Sequence, residues 1–159
     1  METNDEGPHM IDISSKPIIQ REASAIGKIR LKKKTICLIN QGKIEKGDPI
    51  TVAKVAGIMA AKNTSAIVPL CHPISITNVE VATEIFEDEI VLRATVKAMA
   101  KTGVEMEALT ALTTALLTVW DMVKQYEKDE DGQYPSTTIK DIRVLQKIKG
   151  DKNEQSCIR

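Results

Sequence analysis

The 159-residue chain carries 22 lysines and arginines against 22 aspartates and glutamates, with two histidines, so its formal net charge is zero. That balance excludes a general nucleic-acid binder, which would show a basic excess, and Phe86, Trp120, Tyr126 and Tyr134 are too few aromatics for a base-stacking platform. The length is that of one domain with enough chain to bury a core, and Cys37, Cys71 and Cys157, odd in number and widely spaced, fit a reduced cytoplasmic protein better than a disulfide scaffold.

Residues 1–17 are polar, contain Pro8 and Pro17, and read as a flexible N-terminal arm with no secretory leader. Residues 21–31 alternate, with Ala23, Ala25, Gly27, Ile29 and Leu31 on one side, as a half-buried strand does. Lys28, Arg30, Lys32, Lys33 and Lys34 form a basic cluster that suits a solvated sheet edge. Residues 35–41 predict a short helix stopped by Gly42. Asp48 followed by Pro49 is a helix start, and Val52, Val55, Ala56, Met59 and Ala60 are the expected apolar stripe of a helix running to Lys62. Lys46 lies in a glycine-bounded loop just before it. A lysine there suits an incoming phosphate, but spacing alone favours a solvated loop residue.

Pro69 and Pro73 exclude regular helix from residues 67–74, so Cys71 and His72 are displayed from a rigid loop. Neighbouring Cys and His rarely converge on one metal, and no metal or cofactor site is expected; His72 also reads as a structural residue. Residues 76–86 and 89–100 alternate and join at Glu87-Asp88 as a hairpin, with Ile90, Leu92, Ala94, Val96 and Ala98 on its apolar face.

Thr102-Gly103-Val104-Glu105 fits a capping box. It opens a long helix with neither proline nor glycine from Val104 to Asp131. Met106, Leu109, Leu112 or Thr113, Leu116, Trp120 and Val123 predict its core face, and Glu107, Thr110, Thr114, Asp121 and Lys124 a polar face. Its uncharged run, residues 108–120, is thirteen residues, short of the roughly 20 a bilayer requires. Residues 127–138 predict a solvated loop, 139–148 a last strand and 151–159 a polar tail. The order β-α-α-β-β-α-β predicts an α+β domain over residues 18–150, with helices packed on one face of an antiparallel sheet.

Asp121 and Lys124 sit three apart and are helix neighbours, so the carboxylate favours the charged lysine. Such a pair can aim a proton donor or phosphate contact, or be a plain surface ion pair. Glu107 and Asp121 are fourteen residues apart, about 21 Å of helix. They cannot both touch a few atoms of one small substrate from a single copy. Either the ligand is extended or a second subunit completes the site.

Lys46-Gly47-Asp48, Ala56-Gly57-Ile58-Met59-Ala60-Ala61-Lys62, Pro69-Leu70-Cys71-His72-Pro73, Lys101-Thr102-Gly103-Val104-Glu105-Met106-Glu107-Ala108-Leu109-Thr110-Ala111 and Asp121-Met122-Val123-Lys124 together resemble the molybdenum cofactor biosynthesis protein C family, the cyclic pyranopterin monophosphate synthases. His9-Met10-Ile11-Asp12-Ile13-Ser14 and Arg21-Glu22-Ala23 also fit, and the resemblance spans residues 9–150. It implies a ferredoxin-like fold and a phosphorus–oxygen lyase that converts 3′,8-cyclo-7,8-dihydro-GTP into cyclic pyranopterin monophosphate and pyrophosphate. It also implies a cytoplasmic homohexamer, a trimer of dimers with pockets between subunits, acting without nucleic acid or membrane. By position, Asp121 resembles the active-site residue, with Lys124 and Lys46 as acid/base groups. Leu70, Cys71, His72, Met106 and Glu107 resemble the substrate-binding segments, extended by Glu105, Lys62 and Arg21. Lys147-Ile148-Lys149-Gly150-Asp151-Lys152 keeps only pieces of the family's glycine- and lysine-rich tail, so Lys147 is not carried over. The acidic loop 127–138 also looks longer than is usual in the family. Two alternatives stand beside the lyase: a non-catalytic nucleotide- or pterin-binding protein on the same scaffold, and a small metal-binding domain using Cys71, His72 and His9.

Overall fold

The computed structural model describes residues 7–150. The elements are β1 (Ile19–Arg30), α1 (Lys33–Asn40), α2 (Pro49–Lys62), α3 (Thr64–Ile67), β2 (Ile76–Ile85), β3 (Glu89–Ala100), α4 (Glu105–Glu127) and β4 (Thr138–Lys149). The tail 151–159, with Cys157, lies outside the described residues.

Alternation builds the sheet as expected. Ala23, Ala25 and Ile29 of β1, and Ile90, Leu92, Ala94, Val96 and Ala98 of β3, are each at most 1% exposed. Strands β1 and β3 pair from Ile19↔Ala100 to Arg30↔Glu89. The sheet order is β2-β3-β1-β4 and every pairing is antiparallel. Two split β-α-β units interleaved in this order give the ferredoxin-like α+β fold that the sequence implied. The β1–β4 register slips between Ser24 and Ala25 and between Ile26 and Lys28. Asp141 takes a left-handed φ of 57° in this stretch, a conformation Asp tolerates better than most residues. Part of the basic cluster at this end is paired: Lys28 meets Glu89 at 3.3 Å and Lys33 meets Glu87 at 2.6 Å.

Helix α2 starts as predicted, with the Asp48 carboxylate accepting from the Ile50 N–H at 2.9 Å. Its buried face differs. Pro49, Ala53, Gly57, Ala60 and Ala61 face inward, whereas Val52, Val55 and Met59 are 42%, 52% and 57% exposed. Backbone proximity is the reason. A Cβ on Gly57 would meet the Ala111 carbonyl oxygen of α4 at 3.0 Å and a Val81 methyl at 3.1 Å. Only small side chains fit that helix crossing, and the larger ones turn away from it. The short α3 was not predicted.

The core face of α4 keeps Leu112, Leu116 and Val123 as expected, with Leu109 and Trp120 packed at its margin, but it is broader than the sequence suggested. Ala108, Ala111, Leu112, Ala115, Leu116 and Val119 are fully buried, while Met106 is 41% exposed and Thr113 is exposed. Glu107, expected on the polar face, is 3% exposed. The capping box does not form. Val104 is the N-cap, no side chain caps the end, and Glu105 is the first helical residue instead of the third. By length and composition α4 could cross a membrane, more than its uncharged run suggested, but it is the helix on which β1 and β3 pack.

Its last residue, Glu127, is fully buried. The carboxylate accepts from the Thr35 hydroxyl, from the Thr137 hydroxyl at 2.5 Å and from the Lys32 N–H at 3.1 Å. This one group ties α1, α4 and the approach to β4 together.

Candidate functional site

The sequence-predicted residues gather into two clusters at opposite ends of α4. The first surrounds a cavity of about 750 Å³ at the helix start. The proline-bracketed loop contributes Leu70, Cys71 and His72, α4 contributes Glu105, Met106 and Glu107, and β4 contributes Val144 and Lys147. His9, Ile11, Ile13 and Lys16 of the N-terminal segment line it too. That segment is tied down where Lys101 Nζ donates to the Ser14 carbonyl at 2.9 Å. Asp12 lies below the usual carboxylate range, mainly through hydrogen bonds from Ser14, with Lys101 and His72 adding to the effect.

Two carboxylates at this end have opposite characters. Burial works to raise the Glu105 carboxyl, but Lys147 at 2.9 Å, the Glu105 amide and Arg21 together bring it below its ordinary value. Burial pushes Glu107 up, its own backbone N–H opposes this, and the charge of Glu105 adds to it. Burial also raises the Cys71 thiol, with the Glu107 charge adding. An inward-facing, buried carboxyl on the cavity wall suits recognition of a heterocycle's polar edge.

A raised folded-state value means that the folded protein binds the Glu107 proton more tightly than the unfolded chain does. Stability from this group therefore falls as pH rises through that range. Glu107→Gln is expected to raise thermal stability at neutral pH by roughly 0.5–1 kcal/mol while lowering ligand affinity. The gain shrinks in acid, and melting curves at two pH values check it.

Arg21 stands beside the cavity, not in it. Its guanidinium donates to the carbonyls of Ala100 at 3.5 Å and Lys101 at 3.2 Å, and lines a smaller hollow with Glu105 and Lys147. Lys62 lines a separate hollow that shares Ile74 with the large cavity.

The second cluster holds Lys46, Asp121 and Lys124. Lys124 Nζ donates to Asp121 Oδ1 at 2.8 Å. Lys46 Nζ donates to Asp121 Oδ2 at 3.0 Å and to the Asp121 carbonyl at 3.1 Å. One carboxylate thus bridges two ammonium groups. Hydrogen bonds from Lys124 and then Lys46 lower Asp121, and the bond to Asp121 raises Lys124. All three lie on the chain's own surface, with side chains 43%, 55% and 46% exposed, and none lines the large cavity. Because α4 is one unbroken helix from Glu105 to Glu127, the separation of about 21 Å between Glu107 and Asp121 holds.

Sequence reasoning set Lys147 aside and missed Lys16 and the wall made by the N-terminal segment. The register slips of β4, which the alternation does not encode, set where Lys147 falls. His9 and Ile11 belong to the family-like opening, but only folding lays them against the cavity. Among the described residues no group of three His, Cys, Asp or Glu could hold a metal ion.

The chain is 59% identical over 140 residues to a probable cyclic pyranopterin monophosphate synthase of Sulfurisphaera tokodaii, covering 88% of this chain and 93% of that one. It is 53% identical over 146 residues to one of Pyrococcus abyssi, covering 92% of each. It is 51% identical over 147 residues to a probable cyclic pyranopterin monophosphate synthase accessory protein of Methanothermobacter thermautotrophicus, again covering 92% of each. Residues 10–150 match the MoaC family, and the chain belongs to it.

Proposed function

We propose that this protein is a lyase of molybdenum cofactor biosynthesis, converting cyclised dihydro-GTP into cyclic pyranopterin monophosphate with release of pyrophosphate. The observation that carries this is the Asp121 carboxylate held between Lys46 and Lys124 at 3.0 and 2.8 Å. Forming a cyclic monophosphate from a triphosphate requires a substrate hydroxyl to attack the α-phosphorus as pyrophosphate departs. The hydroxyl proton must be taken up, and the leaving charge must be neutralised. Two oriented ammonium groups suit the second task. Lys124, held protonated by Asp121, is suited to donate a proton where the purine-derived ring opens and recloses.

The cavity at the start of α4 takes the heterocycle, with Glu107 and the loop of Leu70, Cys71 and His72 reading its edge and Met106 packing on it. Glu105, Arg21 and Lys62 flank it. The two clusters are too far apart to close on the same atoms from one copy, so a second copy brings its Lys46, Asp121 and Lys124 to the cavity of the first. The exposed apolar face of Val52, Val55 and Met59 supports burial between copies. The assembly is a homohexamer built as a trimer of dimers, with residues 18–150 as its catalytic unit. It works in the cytoplasm without nucleic acid or membrane, in keeping with the free thiols of Cys37 and Cys71.

Because one relative's name calls it an accessory protein, a non-catalytic pterin- or nucleotide-binding role is the second reading. Incubating the purified protein with cyclised dihydro-GTP separates the two. Equimolar pyrophosphate and cyclic pterin product are expected; tight binding with no pyrophosphate would leave the binding role.

A further inference from the structure

One loop carries Lys46. It joins α1 to α2 between two glycines with left-handed φ, 64° at Gly42 and 102° at Gly47. Ile44 anchors it in the core at 6% exposure, and the Gly47 N–H closes a turn on the Ile44 carbonyl at 3.0 Å. Beyond Ile44 the loop depends on the last turns of α4. The Lys46–Asp121 pair is solvated, and such pairs contribute only about 0–1 kcal/mol, too little to fix a glycine-flanked loop by itself.

Two further bonds meet at the preceding residue. The Glu45 N–H donates to the Tyr126 hydroxyl oxygen at 3.0 Å, and Gln125 Nε2 donates to the Glu45 carboxylate at 3.0 Å. The Tyr126 ring is packed against the core, so its hydroxyl is a fixed acceptor. We infer that Tyr126 and Gln125 are positioning residues that clamp Glu45, and through it set how much of the time Lys46 stands at Asp121. The inference rests on the reading of Lys46 as a reacting group. It concerns residues that neither the motif comparison nor the large cavity singles out.

Tyr126→Phe removes only the hydroxyl, and Gln125→Glu sets a second carboxylate against Glu45. In the full-length assembled protein, hydrogen exchange at the Glu45 amide is expected to rise about two- to tenfold in Tyr126→Phe, the factor that one neutral hydrogen bond sets. Turnover number falls by a similar factor while KM changes by less than about twofold, because the loop acts on the chemical step and not on initial binding. Gln125→Glu shifts both readouts in the same direction. In a Lys46→Ala background Tyr126→Phe has no additional effect on turnover. Wild-type exchange at Glu45 in Tyr126→Phe, or faster exchange with unchanged turnover, overturns the clamp. Lys46→Ala that turns over at the wild-type rate refutes the reading of Lys46 instead, and its exchange pattern distinguishes that outcome from a failed clamp.

Discussion

Lys124→Ala lowers turnover by about 10²–10⁴-fold, the range expected when a positioned acid or base is removed, without changing the assembly. Lys124 lies on solvated helix surface and packs against nothing in the core, so its truncation leaves folding intact. The charge states define its role. Hydrogen bonds from Lys124 and then Lys46 hold the Asp121 carboxyl below its ordinary range, so it is ionised from mildly acidic pH upward. The bond to Asp121 holds Lys124 above the ordinary lysine range. The pair is lost on the acid side as pH falls through the depressed value of Asp121. On the alkaline side it is lost as pH rises through the raised value of Lys124. Across the neutral range Lys124 is therefore an acid, not a base. Asp121→Asn keeps the shape but removes the cause of the raised value, so the alkaline limb of the turnover profile moves to lower pH. Wild-type turnover in Lys124→Ala contradicts the assignment.

Glu127→Ala is the substitution with the largest expected effect on stability, roughly 3–5 kcal/mol. Its carboxylate is fully buried and accepts from Thr35 and the Lys32 amide at the start of α1 and from Thr137 just before β4. Alanine leaves those donors without a partner and opens a void where the side chain stood. A carboxylate on the last turn of a helix is opposed by the helix dipole, so the side chain is there for these ties and not for α4 itself. Glu127→Gln keeps the volume and some acceptor capacity, and loses less. Urea midpoints for both variants check the order. A shift of under about 1 kcal/mol for alanine would mean that the three donors find water instead.

Much of the architecture was legible because strand alternation is a strong signal. Ile90 through Ala98 read as a buried face and form one, and the sheet order β2-β3-β1-β4 is that of the ferredoxin-like fold the resemblance implied. The helix faces are less legible, because large apolar residues mark the core in α4, at Leu112, Leu116 and Val123, but not in α2. In α2 and α4 the crossing is made by Ala53, Gly57, Ala108, Ala111 and Ala115, whose small size lets the backbones approach, while Val52, Val55 and Met59 point outward. Glu107, read as part of the polar face, is buried too. The Lys46, Asp121 and Lys124 trio comes from the family resemblance and not from spacing, and it forms within one chain. Glu45, Gln125 and Tyr126 carry no motif, and only the folded loop brings them together.

The central claim is that the cavity beside Glu107 and the cluster at Asp121, about 21 Å apart on one helix, work as one site through two copies. The direct measurement mixes Glu107→Gln, held at a substrate level too low for its weakened cavity to turn over, with the inactive Asp121→Ala under conditions that exchange subunits, and follows pyrophosphate release. Activity returns in the mixed assemblies, since some interfaces pair an intact cavity with an intact lysine–aspartate cluster. Verified mixed assemblies as inactive as either parent would contradict a site shared between copies.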